Sequence, residues 1–435
     1  MYVCGTGRPR AGENRAASAA GALPARQSAS MRRRLSPYER VIWAAGEVLP
    51  ANVAAVARVY GRAVPDRLSG ALAAARLRHP LLGARIASRG RRHALLTTDG
   101  VPGPPLRVVG AGGRDAWARV VEEELQHRFD TAAGPLARFV LVDAGDAFDL
   151  VCVFHQLVAD ALSACVVVRD VLRRLAGPAP DPAPAAALPP PADGLLPGGR
   201  ARPADLVPFA RTLGGDGTRP VQPPGPLSCA AWTLCASEVS ALRSRCRAER
   251  ATLQSALCLA FARALPHPAR IAVGADLRRI LTPSPGEAVG LYAANFLLAV
   301  DGTTHRDFWS LARDIRAAVR HRAHADELAS LVRTFGLLAP LPRRVIGSVL
   351  RRSEAQGARF DVFLGSARVP IPLDYGPLRL SALYGAAHTS LSGAPIVLAA
   401  GVGGRLFLSV TSTDPDGSAK LCERAMAHLK DAVTR

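Results

Sequence analysis

The stretch FHQLVADALS, residues 154–163, places three chemically active side chains within six positions at the end of an apolar run. They are the imidazole of His155, the carboxamide of Gln156 and the carboxylate of Asp160. An imidazole titrates near neutral pH and can serve as a general base, whereas a carboxamide donates and accepts hydrogen bonds but does not take up a proton. In an extended segment His155 and Gln156 point to opposite faces, and this favours a buried, hydrogen-bonded His155 over a catalytic one.

Three other segments carry residue types that could support a site. HRAHADE, residues 321–327, places His321 and His324 three positions apart on a predicted helix, which would suit a metal ion. Its polar, arginine-rich surroundings favour a solvated face, so we predict no metal site. HTSLSG, residues 388–393, lacks the G-x-S-x-G pattern of a nucleophilic serine, and GVGG, residues 401–404, lacks the lysine of a phosphate-binding loop and predicts a turn.

Apolar periodicity predicts that strands and helices alternate through most of the chain, which indicates a mixed α/β (α+β) fold. Leu68, Leu72 and Leu77 mark the apolar face of one predicted helix. Another helix is predicted over residues 163–175, directly after Asp160, with Ser163 as its cap. Residues 396–412 alternate around glycines and predict a β-hairpin.

Composition divides the chain of 435 residues into four parts. Residues 1–30 lack periodicity and predict a disordered extension, with Met31 as the natural start of the ordered chain. Residues 31–175 form a first subdomain and residues 227–435 a second one, both of ordinary domain size. The segment between them, residues 176–226, is rich in Pro, Ala and Gly and predicts a linker.

Charge and cysteine content exclude several classes of function. The formal net charge is +20, carried almost wholly by arginine, but no basic run is interleaved with aromatic residues, so we predict no nucleic-acid partner. An acidic protein or a phosphate-bearing substrate suits this charge better. The eight cysteines form no CxxC pair, which is typical of a reducing cytoplasm, and no apolar stretch is long enough to predict a transmembrane segment.

In the order of its elements the chain resembles the condensation-domain and polyketide-associated-protein acyltransferase superfamily, which includes the BAHD and carnitine acyltransferases. Five segments in the family's order carry the resemblance from about Arg34 onward: LSPYERVIW (35–43), RHPLLGARI (78–86), FHQLVADALS (154–163), GADLRRIL (274–281) and GPLRLSALYG (376–385). The resemblance implies two chloramphenicol-acetyltransferase-like subdomains, each a mixed sheet flanked by helices, with an active-site tunnel between them.

The family's HHxxxDG motif falls on residues 155–161, and the resemblance assigns a role to each position. The second His is the general base, the Asp is structural and pairs with an arginine, and the Gly permits close approach of the backbone. In this chain Gln156 occupies the position of the base, and Ala161 that of the glycine. The arginine paired with Asp160 would be Arg278, Arg279 or Arg85, which the sequence does not rank.

Two hypotheses for function follow from the resemblance. The first is an acyltransferase that takes an acyl group from coenzyme A or from the phosphopantetheine of a carrier protein and passes it to an alcohol or amine. The donor is then a substrate and no cofactor is bound; an acyl carrier protein or a polyketide synthase is the expected partner, and the enzyme is expected to be a monomer. The second is a catalytically inactive scaffold that binds a carrier protein, favoured by Gln156. A third, repurposed chemistry such as cyclisation or dehydration, has no positive signal in the sequence.

Overall fold

The computed structural model describes residues 30–89, 93–113, 115–177, 187–198, 225–355, 360–368, 370–389 and 393–434. These residues contain ten α-helices and fourteen strands. The helices are α1 (Pro37–Ala45), α2 (Pro65–Arg78), α3 (Ala116–Gln126), α4 (Ala161–Ala176), α5 (Ala236–Ala248), α6 (Leu253–Arg263), α7 (Phe308–Arg322), α8 (Ala325–Gly336), α9 (Arg343–Ala355) and α10 (Pro415–Thr434).

The strands form three sheets. In chain order they are β1 (Arg32–Arg34), β2 (Asn52–Tyr60), β3 (Arg85–Arg89), β4 (His93–Thr97), β5 (Leu106–Gly110), β6 (Ala137–Asp143), β7 (Ala147–His155), β8 (Ser228–Leu234), β9 (Ala269–Asp276), β10 (Ala293–Val300), β11 (Val362–Arg368), β12 (Arg379–Ala387), β13 (Ile396–Val402) and β14 (Arg405–Ser412). A five-stranded sheet has the order β12-β2-β7-β6-β5, a six-stranded sheet the order β10-β9-β11-β13-β14-β8, and β1, β4 and β3 form a small third sheet.

One strand crosses between the two halves of the chain. β12 lies in the sequence predicted for the second subdomain, yet it pairs antiparallel with β2 at the edge of the five-stranded sheet. β12 also contacts β13 and β14 of the six-stranded sheet. Thr411 on β14 donates a hydrogen bond from its hydroxyl to the carbonyl of Ala387 on β12, at 2.6 Å. The two halves are therefore joined through shared sheet architecture as well as by the linker region, most of which lies outside the described residues, as do residues 1–29.

Both faces of the five-stranded sheet are covered, which explains the nearly continuous apolar sequence of β7. One face packs against α2 and α4, with Leu68, Leu72, Phe154 and Val167 in the core. The other face packs against α3, with Val153 in the core. The prediction that Leu77 belongs to the apolar face of α2 is wrong, since its side chain is 37% exposed.

The predicted hairpin at residues 396–412 is present, with its turn at Gly403 and Gly404. Both glycines have positive φ, of 56° and 79°, a pair of conformations that suits a tight hairpin turn and disfavours other residues. Among the described residues, no helix combines the length and the apolar character needed to cross a bilayer.

Candidate active site at the end of β7

The three candidate residues, His155, Gln156 and Asp160, lie at the end of β7 and in the tight turn between this buried strand and the buried helix α4. The strand ends at His155, and the backbone N–H of Val158 donates to the carbonyl of His155 at 2.9 Å. α4 begins at Ala161, with Asp160 as its N-cap: the Asp160 carboxylate accepts from the N–H of Ser163 at 2.7 Å. The cap is therefore Asp160 and not Ser163, as the sequence had suggested, because Asp160 has the extended backbone of an N-cap.

His155 is enclosed by protein. Its side chain is buried, its Nδ1 accepts a hydrogen bond from the N–H of Leu157 at 3.1 Å, and its ring meets the edge of Phe129. A Cβ placed on Gly46 would lie 3.2 Å from Nε2, so the second ring nitrogen also faces packed backbone. Burial lowers the pKa of His155 to about 4. The imidazole is neutral at physiological pH, and its hydrogen bond with the N–H of Leu157 stabilises the turn.

Gln156 lies in a different environment from His155. Its backbone N–H donates to the carbonyl of Ala51 at 2.7 Å, which continues the pairing of β7 with the segment before β2. From Phe148 to Asp160 every residue is buried except Gln156, which is partly exposed. Within the described part of the chain, no group hydrogen-bonds its carboxamide. The position that the family motif gives to the base is thus the one partly exposed residue of an otherwise buried segment.

Asp160 anchors this frame to the second half of the chain. Arg278 donates to Asp160 through both terminal nitrogens, with the shorter contact at 2.9 Å, and both side chains are buried. The backbone N–H of Tyr292 donates to the same carboxylate at 3.0 Å. Of the three arginines considered from the sequence, Arg278 is the one in contact. Arg279 is exposed, and Arg85 instead donates to the carbonyl of Asp99.

A contact between Ser163 and Gly290 completes the anchor; the sequence predicted Ser163 only as a helix cap and did not identify Gly290. The Ser163 hydroxyl donates to the carbonyl of Gly290 at 2.9 Å and lies 3.0 Å from its N–H. Arg278 donates to the same hydroxyl at 2.8 Å. A Cβ on Gly290 would lie 2.8 Å from the ring of Tyr292, so the close approach requires glycine here. The one signal for this contact in the sequence is Ser163 itself, a small polar residue at the third position of α4.

A row of polar residues crosses the sheet beside His155. Asn52 on β2 is the register partner of His155, and the carbonyl of Asn52 accepts from the N–H of His388 at the end of β12. The Asn52 carboxamide donates to three carbonyls at the C-terminal end of α3, those of Glu124, Leu125 and His127. Burial lowers the pKa of His388. Ser390 and Ser392 of the HTSLSG segment lie outside the described residues.

His321 and His324 do not share one helix, contrary to the sequence prediction. His321 lies in the last turn of α7, and His324 is the residue that precedes α8, because the chain turns at Ala323. Both side chains are exposed. In the part of the chain that the structure describes, no three His, Cys, Asp or Glu side chains are grouped as metal ligands.

A cavity of about 690 Å³ lies away from these residues, between the C-terminal part of α4, α5 and the turn of the β13–β14 hairpin. Its lining includes Arg173, which is thirteen residues along α4 from Asp160, or roughly 20 Å at the rise of an α-helix. The candidate site rests on the geometry at residues 155–163 and not on this cavity.

The pH dependence of stability provides a test of the buried state of His155. A folded-state pKa of about 4, below the usual 6.5, means that the unfolded chain binds more protons as pH falls below about 6.5. The free energy of unfolding should be highest above pH 6.5 and should fall by roughly 3 kcal/mol as the pH drops to about 4. His155→Asn keeps an acceptor for the N–H of Leu157 and should flatten that decrease. Urea unfolding at several pH values measures it, with the exposed His321→Asn as control; an unchanged slope in His155→Asn would contradict the assignment.

Structural comparison identifies proteins with the same architecture. A trichothecene 15-O-acetyltransferase from Fusarium sporotrichioides has a TM-score of 0.74 and 12% identity over 93% of this chain and 95% of its own. Polyketide synthase associated protein 5 from Mycobacterium tuberculosis has a TM-score of 0.62 and 20% identity over 91% and 97%. The condensation domain of the Monacolin K polyketide synthase has a TM-score of 0.66 and 16% identity over 93% and 98%. No protein-family model and no curated relative matches at the level of sequence.

At these identities the comparison establishes the fold. Each alignment covers more than nine tenths of both chains, so the match includes both halves. The two-subdomain, mixed α/β architecture predicted from the sequence is confirmed.

Proposed function

The chain has the fold of the condensation-domain and BAHD-like acyltransferase superfamily, and we propose that it transfers an acyl group from a thioester to a hydroxyl or amine. The donor is an acyl-coenzyme A or an acylated carrier protein, and the setting is lipid or polyketide metabolism. The observation that carries the proposal is the accessibility of Gln156 within an otherwise buried segment whose anchor, Asp160 with Arg278, is complete. A segment maintained only as core would bury this side chain as well.

In the proposed mechanism Gln156 orients the reactants and does not remove a proton. Its Oε1 accepts a hydrogen bond from the acceptor hydroxyl, or its Nε2 donates to the thioester carbonyl. The acceptor oxygen attacks the carbonyl carbon, the C–S bond breaks, and the proton of the acceptor passes through water to the departing thiolate. Holding two reactants in reactive geometry supplies a large part of the rate even without a base.

The remaining residues of the motif support this geometry. His155, neutral and enclosed, fixes the turn through Leu157, and Asp160 fixes the start of α4 against the second half of the chain. Because the two halves of one chain supply both sides of this junction, we propose that the enzyme acts as a monomer. A small alcohol or amine is the acceptor, and the acyl donor is a substrate and not a bound cofactor.

A second function is favoured by the same residue. Gln156 replaces the base of the family motif, and the neighbouring imidazole of His155 has both nitrogens enclosed. A chain of this kind could bind acylated carrier proteins without turning them over, as a scaffold in an assembly. The two functions differ in whether thioester is consumed, which can be measured directly.

Turnover of acyl thioesters by the purified protein tests the proposal. Acetyl-, octanoyl- and palmitoyl-coenzyme A, and an octanoyl carrier protein, are incubated with a panel of alcohols and amines, and products are detected by mass spectrometry. We expect ester or amide formation by the wild type. Gln156→Ala should lower kcat/KM roughly tenfold to a hundredfold through loss of one oriented hydrogen bond.

Gln126→Ala is the matched control, because Gln126 is an exposed glutamine whose carboxamide donates to the carbonyl of Glu122 on α3. It should leave turnover unchanged. Binding of acylated carrier protein without turnover would establish the scaffold instead. Neither turnover nor binding of any thioester would contradict both functions.

A further inference from the structure

The segment that connects α8 to α9 and continues through most of α9, residues 336–352, presents an unusual surface and is called the tip below. Three large apolar side chains are exposed there: Leu337 (41%), Leu341 (36%) and Val345 (43%). The described residues hold seven exposed large apolar side chains in all, so nearly half of them lie within nine positions. Exposed apolar residues that are grouped mark interaction surfaces, whereas apolar residues exposed singly are normal on a protein surface.

The same segment is strongly basic. Residues 336–352 contain four arginines and no acidic residue. Over residues 343–352 of α9, the part whose burial the structure describes, the exposed positions are Arg344, Val345, Ser348, Arg351 and Arg352, which recur at the spacing of one helical face. The exposed face therefore combines guanidinium groups with the apolar residues of the tip.

The tip is held firmly against the body of the protein. Ile346 and Leu350 on the inner face of α9 are buried against Val41 and Ala44 of α1. Arg343 pairs with Glu47 at 2.6 Å and stacks on the ring of Trp43 at 4.1 Å. The exposed residues are thus displayed by packed helices, which fixes their orientation toward a partner.

The tip lies next to the segment that leads to the candidate active site. Glu47, the partner of Arg343, is four residues from Ala51, whose carbonyl accepts the backbone N–H of Gln156. A Cβ on Gly347 would lie 3.3 Å from the side chain of Val48, so α9 packs closely on the segment that leads to Ala51. Whatever binds the tip is brought close to the segment that positions Gln156.

We propose that the tip docks the protein on an anionic lipid surface. Exposed aliphatic side chains can enter the interfacial region of a bilayer, and the neighbouring arginines are attracted to anionic headgroups. A protein partner would be anchored more typically by aromatic residues, and residues 336–352 contain none. Docking on lipid goes beyond the proposed acyl transfer, and it is measurable without any assay of activity.

Sedimentation with vesicles tests the proposal. We expect the full chain to bind vesicles of phosphatidylcholine with 30% phosphatidylglycerol and not vesicles of phosphatidylcholine alone. Leu337→Ser with Leu341→Ser should lower the coefficient for partition of the protein onto the vesicles at least tenfold. Arg344→Gln with Arg351→Gln and Arg352→Gln should weaken it to a similar degree and remove most of its dependence on salt.

Matched variants elsewhere on the surface provide the control. Leu77→Ser with Val108→Ser removes two exposed apolar side chains, and Arg247→Gln with Arg320→Gln and Arg424→Gln removes three exposed arginines. Both should bind as the wild type does. Absence of binding to the anionic vesicles at low salt, or binding that the tip variants leave unchanged, would overturn the proposal. Binding of an acidic carrier protein through the tip, without binding to vesicles, would overturn it in favour of a protein partner.

Discussion

Arg278→Met is expected to lower the free energy of unfolding by about 3–5 kcal/mol, which would be the largest effect on stability of any single substitution considered for this chain. The substitution keeps much of the side-chain volume but removes the cation that faces the buried carboxylate of Asp160 at 2.9 Å. It also removes the donors to the hydroxyl of Ser163 and to the carbonyl of Ala288. An uncompensated carboxylate would remain at the junction of the two halves.

The cost arises from leaving one charge unpaired, and this makes a double variant informative. Asp160→Asn alone should also be strongly destabilising, because the guanidinium of Arg278 keeps only Asp276 as an ionic partner among the described residues, at 3.2 Å. Asp160→Asn combined with Arg278→Met removes both charges and should cost clearly less than the sum of the two single changes. Urea unfolding followed by tryptophan fluorescence at pH 7 measures all three free energies.

An exposed ion pair supplies the control. Arg306 and Asp314 lie at the same distance of 2.9 Å, but their side chains are 53% and 61% exposed. Asp314→Asn should change the free energy of unfolding by less than about 1 kcal/mol. If Arg278→Met were equally mild, or if the single effects were simply additive, the pair would not anchor the two halves in the way described.

Local signals predicted the individual elements well, because each depends on neighbours in sequence. A threonine directly before an apolar helical segment is a typical cap, and the hydroxyl of Thr252, which precedes α6, accepts from the N–H of Ser255. The turn at Gly403 and Gly404 was equally readable, since two adjacent glycines suit the two positive φ angles that a tight hairpin requires. Leu77 was misread because periodicity identifies a candidate apolar face but not its edge, which depends on what packs there.

Contacts between distant segments could not be read in this way. Nothing in the sequence of β12 indicates that it leaves its own half to pair with β2, since the pairing depends on how the two halves fold together. The choice between Arg278 and Arg279 is similar: the two are adjacent, and a short 3-10 turn directs the first toward Asp160 and the second toward solvent. The motif proposes candidate residues, and the tertiary fold decides which partners they meet.

The different burial of His155 and Gln156 lies between these cases. The alternation of an extended segment predicts that the two side chains diverge; in the structure β7 ends at His155, which is buried, and Gln156 is the first residue of the turn and is partly exposed. The side of His155 is closed by Phe129 and Gly46, which follow the C-terminal ends of α3 and α1. Because Gln156 is the accessible residue, the chemistry of position 156 sets the pH dependence of the proposed reaction.

Gln156→His is expected to raise kcat for an alcohol acceptor about a hundredfold at pH 8, by placing a general base at the accessible position. A partly exposed imidazole should titrate near 6.5, so activity of the variant should rise as pH increases through that value. The wild type should show no such inflection between pH 5 and 8, since a carboxamide does not titrate and the pKa of His155 is about 4. Initial rates across this range, with saturating thioester and alcohol, measure the profile.

The control for Gln156→His is Gln126→His, which places an imidazole on the exposed surface of α3 and should leave the profile flat. An inflection already present in the wild type would contradict proton transfer without a protein base, and would direct attention to His388, next to Asn52 and His155 across the sheet. Turnover by Gln156→His together with an inert wild type would instead show that the site can still support catalysis but lacks a base. In that case the wild type would be the non-catalytic binding protein of the second proposed function. The Asp160–Arg278 anchor would be the same in both proteins, and only the residue at position 156 would decide whether the thioester is consumed.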